Sequence, residues 1–134
     1  MAMIGALPIP NRYSGMRSFK QAIHQHITKK HVIMIYPEGH VWPYYTKIRP
    51  FVSTSFSYPL IEGAPVYCFT VTYQKGWIRT HITAYVDGPF YASSGDDSKK
   101  QMEELRNQVF EKMKERSRWS TFEKRIYRRK EDKK

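Results

Sequence analysis

Val32-Ile33-Met34-Ile35-Tyr36-Pro37-Glu38-Gly39-His40 is the stretch whose reading decides the fold. An apolar run with β-branched residues stops at a proline, and an acid and a glycine follow at once. The pattern predicts a buried strand over residues 32–36 that delivers the Glu38 carboxylate into a tight turn. In open α/β sheets, ligands gather beyond the carboxyl ends of strands, so this turn is a candidate site on position alone.

The chain on either side fits such a sheet. Upstream, Ser14 is placed to cap a helix over residues 15–29, with Met16, Phe19, Ile23 and Ile27 on one face. Lys29 and Lys30 stand at its C-terminal end, where cations suit the helix dipole. Residues 3–10 are apolar and strand-like, so strand, helix and strand follow one another as in a βαβ unit. So apolar a lead-in is unusual, because natural N-termini are mostly solvated. Downstream, residues 39–59 are aromatic and irregular, broken by Pro43, Pro50 and Pro59, with a short helix around residues 53–58.

Residues 65–73 alternate and are rich in Val, Thr and aromatics; Gln74-Lys75-Gly76 turns the chain, and residues 78–86 return as the second arm of a hairpin. Asp87-Gly88-Pro89 is expected to end that arm. Ser98 and Gln101 fit a capping box that opens a helix to about residue 116, with Met102, Leu105, Val109 and Met113 as its buried stripe. The fold class expected is therefore α/β, a mixed sheet with flanking helices over residues 1–116. A basic tail over residues 117–134 follows, beginning from Arg116 and Arg118 and dense in Lys and Arg to Lys134.

A chain of 134 residues makes at most one domain, with a core of modest size. A hydrophobic content of 40% and an aromatic content of 15% argue against disorder. The formal charge of +11 favours an anionic partner such as phosphorylated lipid, membrane headgroups, CoA phosphates or nucleic acid, without choosing among them. One cysteine, Cys68, excludes an internal disulfide framework, and its apolar surroundings predict a small buried side chain. No apolar run is long enough to span a membrane, and the apolar patch near the N-terminus lacks a basic leader. The expected setting is cytoplasmic, peripheral at the membrane face.

Glu38 leads the candidate residues. Arg12 lies between the first expected strand and the first helix, where amide donors of a helix start add to its pull on an anion. Lys47 and Arg49 flank Ile48 after the aromatic turn and are candidates for the same role. Trp42, Tyr44 and Tyr45 cluster beside the Pro-Glu-Gly turn, suited to an acyl channel, a bilayer interface or ordinary packing. The histidines His24, His26, His31, His40 and His81 lack the spacing of a metal site, so no metal and no cofactor is expected. There is neither a nucleophile elbow nor a glycine-rich phosphate loop.

Tyr36-Pro37-Glu38-Gly39 resembles the Phe-Pro-Glu-Gly signature of the PlsC-like glycerolipid acyltransferases, relatives of 1-acylglycerol-3-phosphate acyltransferase. Two further blocks agree in order: Gly5-Ala6-Leu7-Pro8-Ile9-Pro10-Asn11-Arg12 resembles the family's glycine-led strand ending in arginine, and Pro65-Val66 opens a strand like its last block. The resemblance covers roughly residues 4–90. It implies transfer of a fatty acyl group from acyl-CoA or acyl-carrier protein to a lysophosphatidic-acid-like acceptor, at an anionic membrane surface and without nucleic acid. Carried over, Arg12 binds phosphate, while Glu38 and Gly39 shape the acceptor pocket, with Pro37 and His40 beside them as further substrate-binding candidates. Where the family commonly has Pro-Glu-Gly-Thr-Arg-Ser, this chain has Pro37-Glu38-Gly39-His40-Val41-Trp42, which removes the usual arginine and leaves Lys47 and Arg49 as the candidates to compensate.

The family's base is the histidine of a His-x-x-x-x-Asp block. None exists here: the residues five positions after the histidines are Lys29, His31, Tyr36, Tyr45 and Val86. No catalytic residue is therefore assigned. Loss of a general base typically removes about 10²- to 10⁴-fold in rate, so the isolated chain is expected to be inactive. The expectation is a truncated acyltransferase domain whose missing upstream strands leave a sheet edge open to self-association or to a partner that carries the dyad. The rival from another class is a non-catalytic module for anionic lipid or nucleic acid, which charge and aromatic content also allow.

Overall fold

The computed structural model describes residues 7, 9–40 and 42–127. Its elements are α1 (Tyr13–Thr28), a 3-10 turn (Thr54–Phe56) leading into α2 (Ser57–Glu62), β1 (Val66–Lys75), β2 (Thr80–Phe90) and α3 (Ser98–Ser117). β1 and β2 form a two-stranded antiparallel sheet. The mixed α and β content agrees with the sequence reading, while the mixed, partly parallel sheet does not form among the described residues.

The strand expected over residues 32–36 is the main correction. These residues carry no regular structure, and the run is largely open to solvent: Val32 is 93% and Tyr36 74% exposed. A β-branched run becomes a strand only when a neighbour supplies lateral hydrogen bonds, and none among the described residues lies beside it. The far edge of β1 is partly taken already, because the Tyr73 carbonyl accepts from the N–H groups of Thr121 (2.9 Å) and Phe122 (3.1 Å). The companion strand expected over residues 3–10 falls mostly outside the described residues.

The hairpin forms close to where alternation places it, with Lys75 opposite Thr80. Residues 87–89 do not end β2. The strand passes through them as a bulge, with Val66 paired to Phe90 but Cys68 to Asp87. Gly88 absorbs the extra residue at φ 136°, where a Cβ would come within 2.8 Å of the Val66 carbonyl oxygen.

The inner face of the hairpin presents Cys68, Thr70 and Thr72, all buried, to α3. α3 answers with Leu105, Val109 and Met113, the stripe its spacing predicted, and with Met102 partly buried beside them. Phe51 and Phe56 complete this core from the loop and the 3-10 turn. Side chains of this kind each contribute about 1.5–3 kcal/mol on burial. Beneath them a polar triangle is satisfied internally: Gln74 Nε2 donates to Thr72 Oγ1 (2.6 Å), and Thr83 Oγ1 donates to Gln74 Oε1 (2.8 Å). Burial and the nearby Asp87 carboxylate push the Cys68 thiol pKa up, so it rests as an un-ionised packing residue.

The cap of α3 differs from the expected box. Asp97, one residue earlier than Ser98, accepts from the N–H groups of Lys99 (3.0 Å) and Lys100 (3.2 Å) through Oδ1, and Gln101 reaches the Ser93 carbonyl instead. A carboxylate serves both the orphan amides and the positive end of the helix dipole. At the other end Arg116 forks onto Asp87, with Nε–Oδ2 at 2.9 Å and Nη2–Oδ1 at 2.7 Å, and lies over the rings of Tyr85 and Trp119. Arg116 therefore ties α3 to β2 and does not begin a solvated tail.

α1 starts after Arg12, whose extended backbone makes it the N-cap, so Ser14 lies inside the helix. α1 packs on α2 through Ile23, the Phe19–Tyr58 ring pair (5.7 Å) and the His24–Glu62 contact (2.8 Å). Its end is a complete Schellman motif: Lys30 N–H bonds to the Ile27 carbonyl, and His31 N–H to that of His26. Lys30 occupies the left-handed position at φ 58°, where glycine is the usual residue.

Candidate functional site

The Tyr36-Pro37-Glu38-Gly39 sequence does fold as a tight turn, with Gly39 N–H reaching the Tyr36 carbonyl at 3.3 Å. Proline at the second position and glycine at the fourth suit such a turn, and Gly39 takes φ 70°. The turn delivers Glu38 as expected, without a strand behind it. Glu38 Oε2 accepts the backbone N–H of Arg49 at 2.9 Å in a half-buried position. That one bond joins the two ends of the loop over residues 39–48, of which residue 41 lies outside the described residues. Loops of this size with their ends pinned are packed by their own side chains.

The packing is aromatic. Trp42 meets Tyr45 edge-on at 5.2 Å, and Tyr45 N–H bonds to the Trp42 carbonyl (3.1 Å). The Arg49 guanidinium lies over the Trp42 ring, 4.4 Å from its centre. Its Nη1 is buried and has no hydrogen-bond partner among the described residues. Guanidinium is all donor and stays charged, so a buried unpaired N–H of this kind costs about 1–3 kcal/mol unless an acceptor arrives.

The C-terminal segment closes the cluster. After α3 the chain crosses the β1 edge, where Thr121 Oγ1 takes the Lys75 N–H (3.1 Å), and continues to the aromatic loop. Tyr127 stacks on Trp42 at 4.9 Å, meets Tyr45 at 5.6 Å, and donates its hydroxyl proton to the Pro43 carbonyl at 2.8 Å. Lys124 Nζ sits 4.1 Å over the Tyr44 ring, which leans on the ring of Tyr73 in β1. Tyr44 is held at φ 60°, a strained setting for an aromatic residue that persists only where neighbours fix it.

Of the residues singled out from sequence, Pro37, Glu38, Gly39 and Arg49 come together here. His40 and Lys47 lie on the same loop with exposed side chains. Arg12 sits at the start of α1, exposed, and no hydrogen bond, ion pair or ring contact links it to the Glu38 turn among the described residues. Lys124 and Tyr127 were not anticipated. The signal for them was present, since Trp119, Phe122, Ile126 and Tyr127 are too apolar for a purely solvated basic tail. The basic residues 128–130, 133 and 134 lie outside the described residues.

His26 and His31 approach at 3.0 Å between their Nδ1 atoms, but no group of three His, Cys, Asp or Glu side chains suited to a metal forms among the described residues. No helix there is long and apolar enough to cross a membrane. A shallow groove lined by Phe90, Gln108, Lys112 and Arg118 shares no residue with the cluster. No family model matches the chain, and neither a curated protein nor a solved structure matches it.

Proposed function

We propose that this chain carries the acceptor-binding part of a PlsC-like glycerolipid acyltransferase and works at an anionic membrane face. In that reaction the acceptor hydroxyl attacks the thioester carbonyl of acyl-CoA or acyl-carrier protein, the ester forms, and the thiol leaves with the hydroxyl proton. The proton needs a base, and no His-x-x-x-x-Asp pair exists in these 134 residues. The role of this chain is then to hold the lysophosphatidic-acid-like acceptor while a dyad is supplied in other residues.

The observation that carries the reading is Arg49. The usual arginine of the Pro-Glu-Gly block is replaced by Val41, and Arg49 is the cation drawn back to that turn by the Glu38 carboxylate. Its buried Nη1, which has no hydrogen-bond partner among the described residues, suits a phosphate oxygen, and the packed rings of Trp42, Tyr45 and Tyr127 make the surroundings apolar, as the glycerol end and first methylenes of the acceptor require. Glu38 acts as the latch that sets Arg49, with Gly39 permitting the turn. The missing dyad also favours a second reading, a non-catalytic module that binds anionic lipid through the same arginine.

Binding of a short-chain lysophosphatidate, kept below its micelle concentration, tests this through tryptophan fluorescence. Binding is expected to depend on the phosphate, so that the matching monoacylglycerol binds far less. Arg49→Ala should weaken it by roughly tenfold or more, the worth of a charge-assisted hydrogen bond. Equal affinity for the uncharged lipid, or an unaffected Arg49→Ala variant, sinks the phosphate role. Acyl transfer from acyl-CoA that appears only when a dyad-bearing polypeptide is added supports the enzyme reading over the binding module.

A further inference from the structure

The β1–β2 hairpin has an outer face that no other element covers fully among the described residues. Strand alternation sends Tyr67, Phe69 and Val71 outward from β1, and the register sets Val86 opposite Phe69 and Ala84 opposite Val71, with Ile82 following toward the tip. The apolar strip runs to the tip loop over residues 76–79. There Trp77 is 100% and Ile78 85% exposed, the most open large apolar pair in the molecule's described part. Lys75 and Arg79 stand two residues to one side and two to the other of Trp77, both exposed.

The tip is held firmly. Tyr73 and Lys75 are tied to Ser120 and Thr121, and Gln74 Nε2 donates to the Trp119 carbonyl. Gly76 lets the turn close, since a Cβ there would collide with the Arg79 carbonyl and the His81 ring. The result is a braced apolar protrusion with a cation on each flank.

We propose that this tip inserts into an anionic lipid bilayer, Trp77 and Ile78 entering the headgroup–acyl boundary while Lys75 and Arg79 meet lipid phosphates. Indole is at home at that depth, where its ring is apolar and its N–H is wet. Charge selects the bilayer over a second copy of the chain, because each copy carries +11 and pairing would bring like charges together. Cations beside an anionic bilayer gain instead, and the gain adds per residue. The inference deepens the peripheral-membrane part of the proposed function and rests on that part alone; lysophosphatidate binding by Arg49 is independent of it.

The test is sedimentation of the full chain with vesicles of equal parts phosphatidylglycerol and phosphatidylcholine, against pure phosphatidylcholine. The chain is expected to bind the anionic vesicles preferentially. Bromine on the lipid acyl chains should quench an emission component that Trp77→Phe removes. Trp77→Ser/Ile78→Ser should weaken sedimentation by about tenfold or more, and Lys75→Ala/Arg79→Ala by roughly tenfold on anionic vesicles only. Both double variants change exposed side chains and should keep the parent melting temperature and the parent affinity for monomeric lysophosphatidate. Undiminished sedimentation of Trp77→Ser/Ile78→Ser assigns membrane binding to another surface and overturns the proposal. So does a Trp77 emission already blue-shifted without lipid in a concentration-dependent dimer, which would make the tip a protein interface.

Discussion

The hairpin with α3 and the loop over residues 39–48 are built by opposite means. In the first, periodic side chains meet across a shared face: Cys68, Leu105, Val109 and Met113 repeat at strand and helix spacings and bury one another. In the second, nothing repeats. The loop is held by single contacts between residues far apart in the chain, Glu38 with Arg49, Trp42 with Tyr127, and Tyr44 with Lys124. The difference teaches where apolar sequence alone misleads. Residues 32–36 are as hydrophobic as β1, yet they stay exposed and irregular because no strand edge among the described residues receives them.

The comparison breaks most visibly in the core. Leu105→Ala should cost about 2–5 kcal/mol, because Leu105 is 2% exposed at the centre of the core and a packed core relaxes only partly into such a cavity. Met34→Ala, in the exposed run, should cost within about 0.5 kcal/mol. Urea unfolding of the two variants measures both, and a Met34→Ala cost as large as that of Leu105→Ala would show that the run is buried in solution.

The junction between β2 and α3 gives the next effect, through pH. The Arg116 fork onto Asp87 holds that carboxyl below its usual 3.8. A carboxylate lowered in the folded state contributes its full stability above its unfolded value, and loses it as pH falls through the folded value. Asp87→Asn should therefore lower the melting temperature at neutral pH, and the gap to the parent should narrow below about pH 4. A gap that stays constant down to strong acid would remove the ion pair as its cause.

The smallest effect contrasts two helix stops. α1 and α2 both end with a left-handed residue, Lys30 at φ 58° and Gly63 at φ 60°. Lys30→Gly should stabilise by up to about 1 kcal/mol, while Gly63→Ala should destabilise by a similar amount. Loss of stability in Lys30→Gly would mean that the lysine side chain contributes more than its backbone strain takes away.

Much of the fold was legible because it follows from spacing. The hairpin, α3 and its buried stripe, and α1 with Ile23 inward all appear within a few residues of where periodicity sets them. The Pro-Glu-Gly turn was legible too, since proline and glycine carry their own backbone chemistry. The strand over residues 32–36 misled, because pairing is a property of the neighbour and not of the run. Asp97 took the cap from Ser98 because a carboxylate serves amides and dipole at once. In the candidate site, Arg49 was legible as a cation near the turn, whereas Tyr127 was legible only as part of an apolar stretch, since stacking across the length of a chain leaves no local trace of the partner.

The bond from Tyr127 to Pro43 spans 84 residues of sequence and has a consequence in time. During synthesis the Pro-Glu-Gly turn leaves the ribosome well before Tyr127 does, and Arg49 can be latched to Glu38 as soon as both have emerged. The Trp42 face must wait until residue 127 has been made and has cleared the exit tunnel. For that whole interval the cation–aromatic cluster is open on the side that Tyr127 later covers, so a site begun by a contact eleven residues long is completed only by one that spans 84.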